Sequence, residues 1–306
     1  MYNCLCMLNG IILVDKPAGF TSFDIIKKIR YFSKQKRVGH TGTLDPSVTG
    51  LLIIALGKAT KLINCLQLNQ KQYIGKMILG IDTNTQDMDG EITNKKRLDK
   101  PFSDNKLKKN FESFIGPYLQ TPPMFSAVKV HGQRLYDLAR QGKKVKRKSR
   151  KIIIQKFYQI GSSKFDKKNG KQYINFFASV SKGSYIRTLV NDFGKRLLVP
   201  SVLKKLRRIK VGKYSVNQAY NFKKILSYKQ INKLTIPLEN ILTDVPKINI
   251  KASLWKKVKN GGFFNSTLSR SYLIRIFYKN KFQALYKYDS GKKIYKPKVM
   301  LIHEIN

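Results

Sequence analysis

The sequence is short of the residues that build crosslinked or metal-centred proteins. Its 306 residues include three cysteines, Cys4, Cys6 and Cys65, and three histidines. The cysteines are too few and too irregularly spaced for a disulfide framework or a zinc site. So few histidines argue against a metal cluster. Acids are scarce too: 17 Asp and Glu stand against 61 Lys and Arg. No apolar run approaches the length of a membrane span. Residues 1–14 are apolar, yet no basic stretch precedes them and no small-residue cleavage site follows, so they read as the lead-in to a first strand. The acidic stretch 81–90 lacks the spacing of a calcium loop. A P-loop, a dinucleotide glycine fingerprint and an internal repeat are absent as well. The expectation is a reduced, cytoplasmic protein with no metal and no cofactor.

What the chain has in quantity is core material and positive charge. Apolar residues make up 42% and aromatics 11%, enough to build a core and to exclude global disorder. The formal net charge is +44. Such a field captures polyanions, so a nucleic acid is the natural partner. A membrane surface would need an amphipathic anchor, and none is present. Lys, Asn, Ile and Tyr are all abundant, the pattern of an AT-rich genome, so charge alone does not name the partner.

Apolar runs at 11–15 and 51–56 predict buried strands, and alternation at 72–79 predicts another. Thr21 or Ser22 caps an expected helix with Phe23, Ile26, Ile29 and Phe32, or a near neighbour set, on its apolar face. Helical segments are expected near 58–66, 106–114 and 225–236, and an antiparallel pair at 152–160 and 173–180. Residues 143–151 form a dense basic run suited to an RNA backbone. Near Pro246 the pattern shifts to short alternating strands with turns at 260–262 and 290–291, which divides the chain into 1–245 and 246–306. Periodicity supports an α+β fold and no finer class.

The richest stretch is GHTGTLDPSVTG at 39–50, where three glycines, a histidine and one acid share a loop. Gly39, Gly42 and Gly50 permit a tight fold, and Pro46 pushes Asp45 out of helical geometry. On local chemistry this is either an ordinary turn or a presented carboxylate. Arg187 stands where an extended segment enters a helix, a place usually taken by a surface group.

Residues 10–22, GIILVDKPAGFTS, followed by GHTGTLDPSVTG, resemble the TruB family of tRNA pseudouridine synthases. So do QTPPMFSAVKVHGQRLYDLARQG at 120–142, SKGSYIRTLV at 181–190 and LKKLRRIKVGKY at 203–214. The chain departs from the family at Asn84, which replaces an acid while Asp87 and Asp89 match, and at Pro200-Ser201. The resemblance implies a mixed, mainly antiparallel sheet with flanking helices, the pseudouridine synthase fold, plus a small C-terminal β-rich domain of the PUA kind. It implies isomerisation of the T-loop uridine, position 55 of tRNA, by a monomer that needs no cofactor. Asp45 would be nucleophile or base, Arg187 its partner, and Tyr73 the platform for the uracil ring and an aid to proton transfer. His40 would fill the space of the flipped base. Lys16, with its Pro17 turn, is set among the substrate-side residues as support for the loop, and Lys129 and Tyr136 as RNA contacts. A non-catalytic tRNA chaperone and a guide-dependent synthase are the alternative readings.

Overall fold

The computed structural model describes residues 7–67, 70–130, 132–143, 145–265 and 271–302; Cys4 and Cys6 lie outside them. The main sheet is built from β1 (Gly10–Lys16), β2 (Val38–His40), β3 (Thr49–Leu56), β4 (Lys71–Leu79), β5 (Gly116–Gln120), β6 (Arg150–Gln159), β7 (Lys171–Val180) and β8 (Ser201–Val211). Its order is β1-β3-β8-β4-β7-β6-β5, with Tyr220–Asn221 beyond β1 and β2 paired to β3. Most neighbours run antiparallel. The exceptions are the Tyr220–Asn221 edge and β3 with β8, which meet at only two residue pairs, Thr49 with Arg207 and Gly50 with Arg208. The sheet therefore parts at the start of β3, directly after the loop that carries Asp45.

The expected strands at 11–15, 51–56 and 72–79 are present, each longer by one or two residues at its start. The expected pair at 152–160 and 173–180 is β6 with β7. Helix α1 (Ser22–Ser33) starts in a capping box: Thr21 and Asp24 bond each other's backbone N–H. Its buried stripe is Ile25, Ile26 and Ile29 rather than one led by Phe23, which is exposed beneath the Lys27 ammonium. Residues 57–62 form a tighter 3-10 helix before one α-helical turn at Ile63–Gln67, and the 225–236 helix contracts to Tyr228–Leu234.

Around β1 and β3 both faces are covered. α1 and Tyr228–Leu234 cover Ile12, Val14, Leu52 and Ile54 on one side. Leu238, Ile241, Phe277, Phe282 and Leu285 cover Ile11, Leu13, Leu51 and Ile53 on the other. Double coverage is why 51–56 reads as an unbroken apolar run. On β4 to β8 one face is covered, by α2 (Asp104–Glu112) and α4 (Ile186–Arg196), over Phe157 and Phe176. Between these helices in sequence comes α3 (Leu135–Arg140), just after the hairpin of Lys129–Val130 with Gln133–Arg134.

The C-terminal β-rich unit is a second sheet, β9 (Lys247–Asn249), β10 (Leu273–Tyr278), β11 (Lys281–Asp289) and β12 (Ile294–Met300), with α5 (Ala252–Val258). It has its own cluster around Ile274, Ile276, Tyr286 and Tyr295. It also shares the apolar cluster that covers β1 and β3, so no solvated linker separates it from the rest.

Candidate active site

Asp45 is held by supports on every side of its loop. Ser22 Oγ accepts from Leu44 N at 2.9 Å and donates to Leu44 O at 3.1 Å. Lys16 is fully buried, and its ammonium donates to the carbonyls of Pro17, Phe20 and Pro46 at 2.7 to 3.1 Å. Gly19 N donates to Pro46 O at 3.0 Å. On the far side Arg208 donates from Nε to Leu51 O at 2.7 Å and from Nη2 to Gly42 O at 3.1 Å. Gly50 lies at φ +107°, and a Cβ there would sit 2.2 Å from Arg208 O, so only glycine lets the two strands approach.

Arg187 closes the site. It is the second residue of α4, whose preceding residue Tyr185 is clasped by Gln120: the amide donates to Tyr185 O at 3.0 Å and accepts from Tyr185 N at 2.8 Å. The guanidinium then serves four groups on three other segments at once. Nε meets Asp45 Oδ2 at 3.1 Å and Nη1 meets Asp87 Oδ2 at 3.3 Å. Nη1 also donates to Thr85 O, and Nη2 to Phe125 O, both at 2.8 Å. Further along α4, Thr188 donates to Gln86 Oε1 and Asn191 to Asp82 Oδ2. The acidic loop is thus fastened along the helix that carries the arginine. Asn84 contributes to the loop's shape by accepting from Glu91 N at 3.1 Å. The Pro200-Ser201 departure lies at the other end of α4, where Ser201 donates to Val190 O.

The electrostatics follow from crowding. Burial pushes the Asp45 carboxyl above its ordinary range; Arg187 opposes this, while Asp87 and Asp89 add to it. The Asp45 side chain nevertheless keeps 40% of its surface, so one side stays open to an incoming group, whereas Arg187 keeps 7%. Burial lowers the Lys16 ammonium to about 8, with Asp45 pulling the other way. Burial, then Arg208, lowers His40, so the imidazole is neutral near pH 7 and its Nδ1 accepts from Gly42 N at 3.2 Å.

Asp45 and Arg187 are brought together as expected. Tyr73 is on β4 as the register partner of Arg208, nearly buried, and no hydrogen bond reaches its hydroxyl among the described residues. Lys16 has its three donors turned inward, so its place is beneath the loop and not among substrate contacts. Lys129 is exposed on its hairpin, and Tyr136 on α3 lies between Arg134 and Arg140, its hydroxyl accepting from Arg134 at 2.7 Å. Neither bonds to Asp45 or Arg187. α3 is nonetheless tied to the site, because Tyr136 N donates to Ser126 O next to Phe125. Sequence reasoning missed the bracing role of Arg208 and the pairing of Asp87 with Arg187. It also missed Tyr185, whose hydroxyl burial raises above its ordinary value beside Asp45. All three lay inside passages already singled out.

Residues 30–186 match the family model for the TruB family pseudouridylate synthase, N-terminal domain. The chain belongs to the TruB family. A tRNA pseudouridine synthase B of Oenococcus oeni is 53% identical over 298 residues, covering 97% of this chain and 99% of that protein. The protein of the same name from Ligilactobacillus salivarius is 40% identical over 299 residues, covering 96% and 99%. Among solved structures, an H/ACA RNP bound to a substrate RNA containing 2′-deoxyuridine superposes with a TM-score of 0.66 at 21% identity, over 96% of this chain and 85% of that one. A Cbf5-Nop10-Gar1 complex gives 0.66 at 24% identity, with the same coverage. These two establish the TruB-type fold of the chain. As a TruB family member it is a pseudouridine synthase, an enzyme that isomerises uridine.

Proposed function

We propose that this enzyme acts on tRNA and converts the T-loop uridine, position 55, to pseudouridine. The observation that carries this reading is the Asp45–Arg187 pair, assembled from four separated segments on a loop open to solvent on one side. The reaction breaks the N1–C1′ bond, turns the uracil, forms a C5–C1′ bond and releases the C5 hydrogen as a proton, while N1 takes up a proton. Asp45 is the nucleophile or base beside the sugar. Arg187 orients its carboxylate through a charge-assisted contact and keeps it ionised. Tyr73 offers its ring to the uracil while the base is detached, and neutral His40 takes the space the base leaves in the RNA. Lys129 and Tyr136 contact the T-arm, and residues 246–306 act as a PUA-like RNA-binding domain. The enzyme works as a monomer in the cytoplasm; among the described residues no helix is long and apolar enough to cross a membrane.

The test is release of tritium from tRNA labelled at C5 of uridine. The wild type is expected to release one equivalent per tRNA, and Asp45→Asn none. Tight tRNA binding without release by the wild type would overturn the catalytic reading in favour of a tRNA chaperone.

A further inference from the structure

Strands β8, β4, β7, β6 and β5 bury one face beneath α2 and α4. The middle of their other face is open: Leu119, Ile153, Tyr158 and Ile74 there are 68%, 48%, 47% and 37% exposed, whereas Ile78 and Val202 at one end are buried with Ile81. Cross-strand register places Arg207, Ile74, Phe177 and Tyr158 in one row, each the direct partner of the next. Side chains directly opposite share a face, so this row is continuous. At its end the rings of Tyr158 and Phe177 stack, with centroids 5.0 Å apart and planes at 20°. Beside the row, the ammonium groups of Lys204 and Lys76 lie 4.8 and 5.5 Å from the centre of the Tyr173 ring.

The charge on this face is mostly positive, the exceptions being Asp166, opposite Lys171, and Asp15. None of the five strands contains an acidic residue. Asp15, off the row, is held by both terminal nitrogens of Arg207 at 3.0 and 2.7 Å. Exposed apolar patches mark interaction sites. Stacked aromatics on an open sheet, bordered by lysines and carried on strands without acids, suit unpaired bases and their phosphates. A second copy of a +44 chain would bring like charge to the same face.

We propose that this open sheet face is a second RNA-binding surface. Unpaired bases stack on Tyr158 and Phe177, and Lys76 and Lys204 take the phosphates. Side chains alternate along a strand, and Tyr73 belongs to the covered face, so RNA here runs on the reverse of the sheet from the uracil platform. The surface rests on RNA being the partner and not on the chemistry at Asp45.

The test uses the full chain and a fluorescein-labelled oligoadenylate of about ten nucleotides, within the usual range of single-strand sites. Containing no uridine, it cannot be turned over. Binding is measured with the active site saturated by an unlabelled T-arm hairpin. The double variant Tyr158→Ala, Phe177→Ala is expected to bind about tenfold or more weakly, whereas Tyr158→Phe keeps wild-type affinity. The double variant Lys76→Gln, Lys204→Gln is expected to lower the slope of log affinity against log salt by about 1.4. All variants should turn over the hairpin at the wild-type rate. Wild-type affinity in the ring variant, or an unchanged salt slope in the lysine variant, overturns the proposal. So does wild-type self-association that the ring variant abolishes, which would make the face a contact between copies. A wild type that binds oligoadenylate as described yet releases no tritium from the hairpin contradicts the catalytic reading and leaves this surface standing.

Discussion

Replacing Arg187 by lysine and by methionine separates the geometry of the site from its charge. Three different nitrogens of the guanidinium serve Asp45, Asp87, Thr85 O and Phe125 O. A lysine carries one nitrogen and cannot span that fork. Arg187→Lys therefore leaves at least two of the four acceptors without their donor. Each buried acceptor so stranded costs about 1–3 kcal/mol. The open side of Asp45 lets water offset part of that, so we expect a net loss of roughly 2–5 kcal/mol. For a chain of this size, at about 2.1 cal/mol/K of unfolding entropy per residue, the midpoint of thermal unfolding should fall by roughly 3–8 °C. The displaced carboxylate should cost about 10²–10³-fold in kcat, the scale of losing one preorganised electrostatic contact. The charge survives, so the acid limb of the pH–rate profile stays near that of the wild type. Arg187→Met removes the charge as well. Asp45 is already held above the ordinary carboxylate range by burial, and Arg187 is the main influence pulling it down. Its pKa must then rise further, and the acid limb of kcat/KM moves to higher pH. Tritium release across pH, with calorimetry on the same samples, reads both effects. Wild-type kcat and stability in Arg187→Lys would show that the fork is not needed. An unmoved acid limb in Arg187→Met would show that Arg187 does not keep Asp45 ionised.

Asp45→Asn should abolish turnover while tRNA affinity stays within about tenfold, near 1.4 kcal/mol. Since folding raises the Asp45 pKa, ionised Asp45 costs stability at neutral pH; the variant should be more stable there, and the gain should vanish as pH falls below the ordinary carboxylate range. Folding lowers the His40 pKa, so wild-type stability should decline as pH drops through the unfolded value of 6.5, and His40→Ala should flatten that slope and slow the productive step. Lys16→Met strands three carbonyls but also removes a costly buried charge, so calorimetry should show a net loss of only about 1–3 kcal/mol while kcat falls more steeply. Phe282→Ala, at a fully buried position shared by both units, should cost about 3–5 kcal/mol in one cooperative transition, and two separate transitions would show that 246–306 unfolds independently.

Much of the frame is local and therefore legible without a structure. Thr21 and Asp24 stand three residues apart and cap α1 by themselves. The run 51–56 is apolar on both faces because both faces are covered. Asp45 is set out by Pro46, its immediate neighbour. Phe23 shows the limit: it fits an apolar helical stripe, but the partners of α1 lie under Ile25 and Ile29, and no pattern within the helix says so.

Sequence by itself determined which residues carry chemistry and roughly where the strands and helices fall, because those depend on side-chain type and on neighbours a few positions away. Tertiary structure alone decided which of many equivalent cations are desolvated. Lys16 is one lysine in a lysine-rich chain until Pro46, 30 residues on, places a carbonyl against it. Arg207 and Arg208 are adjacent and alike, yet strand alternation sends one to Asp15 and the other to Gly42, 166 residues away in sequence. Burial and partnership are set by what the chain brings opposite from such distances, and that is a property of strand pairing rather than of any local segment.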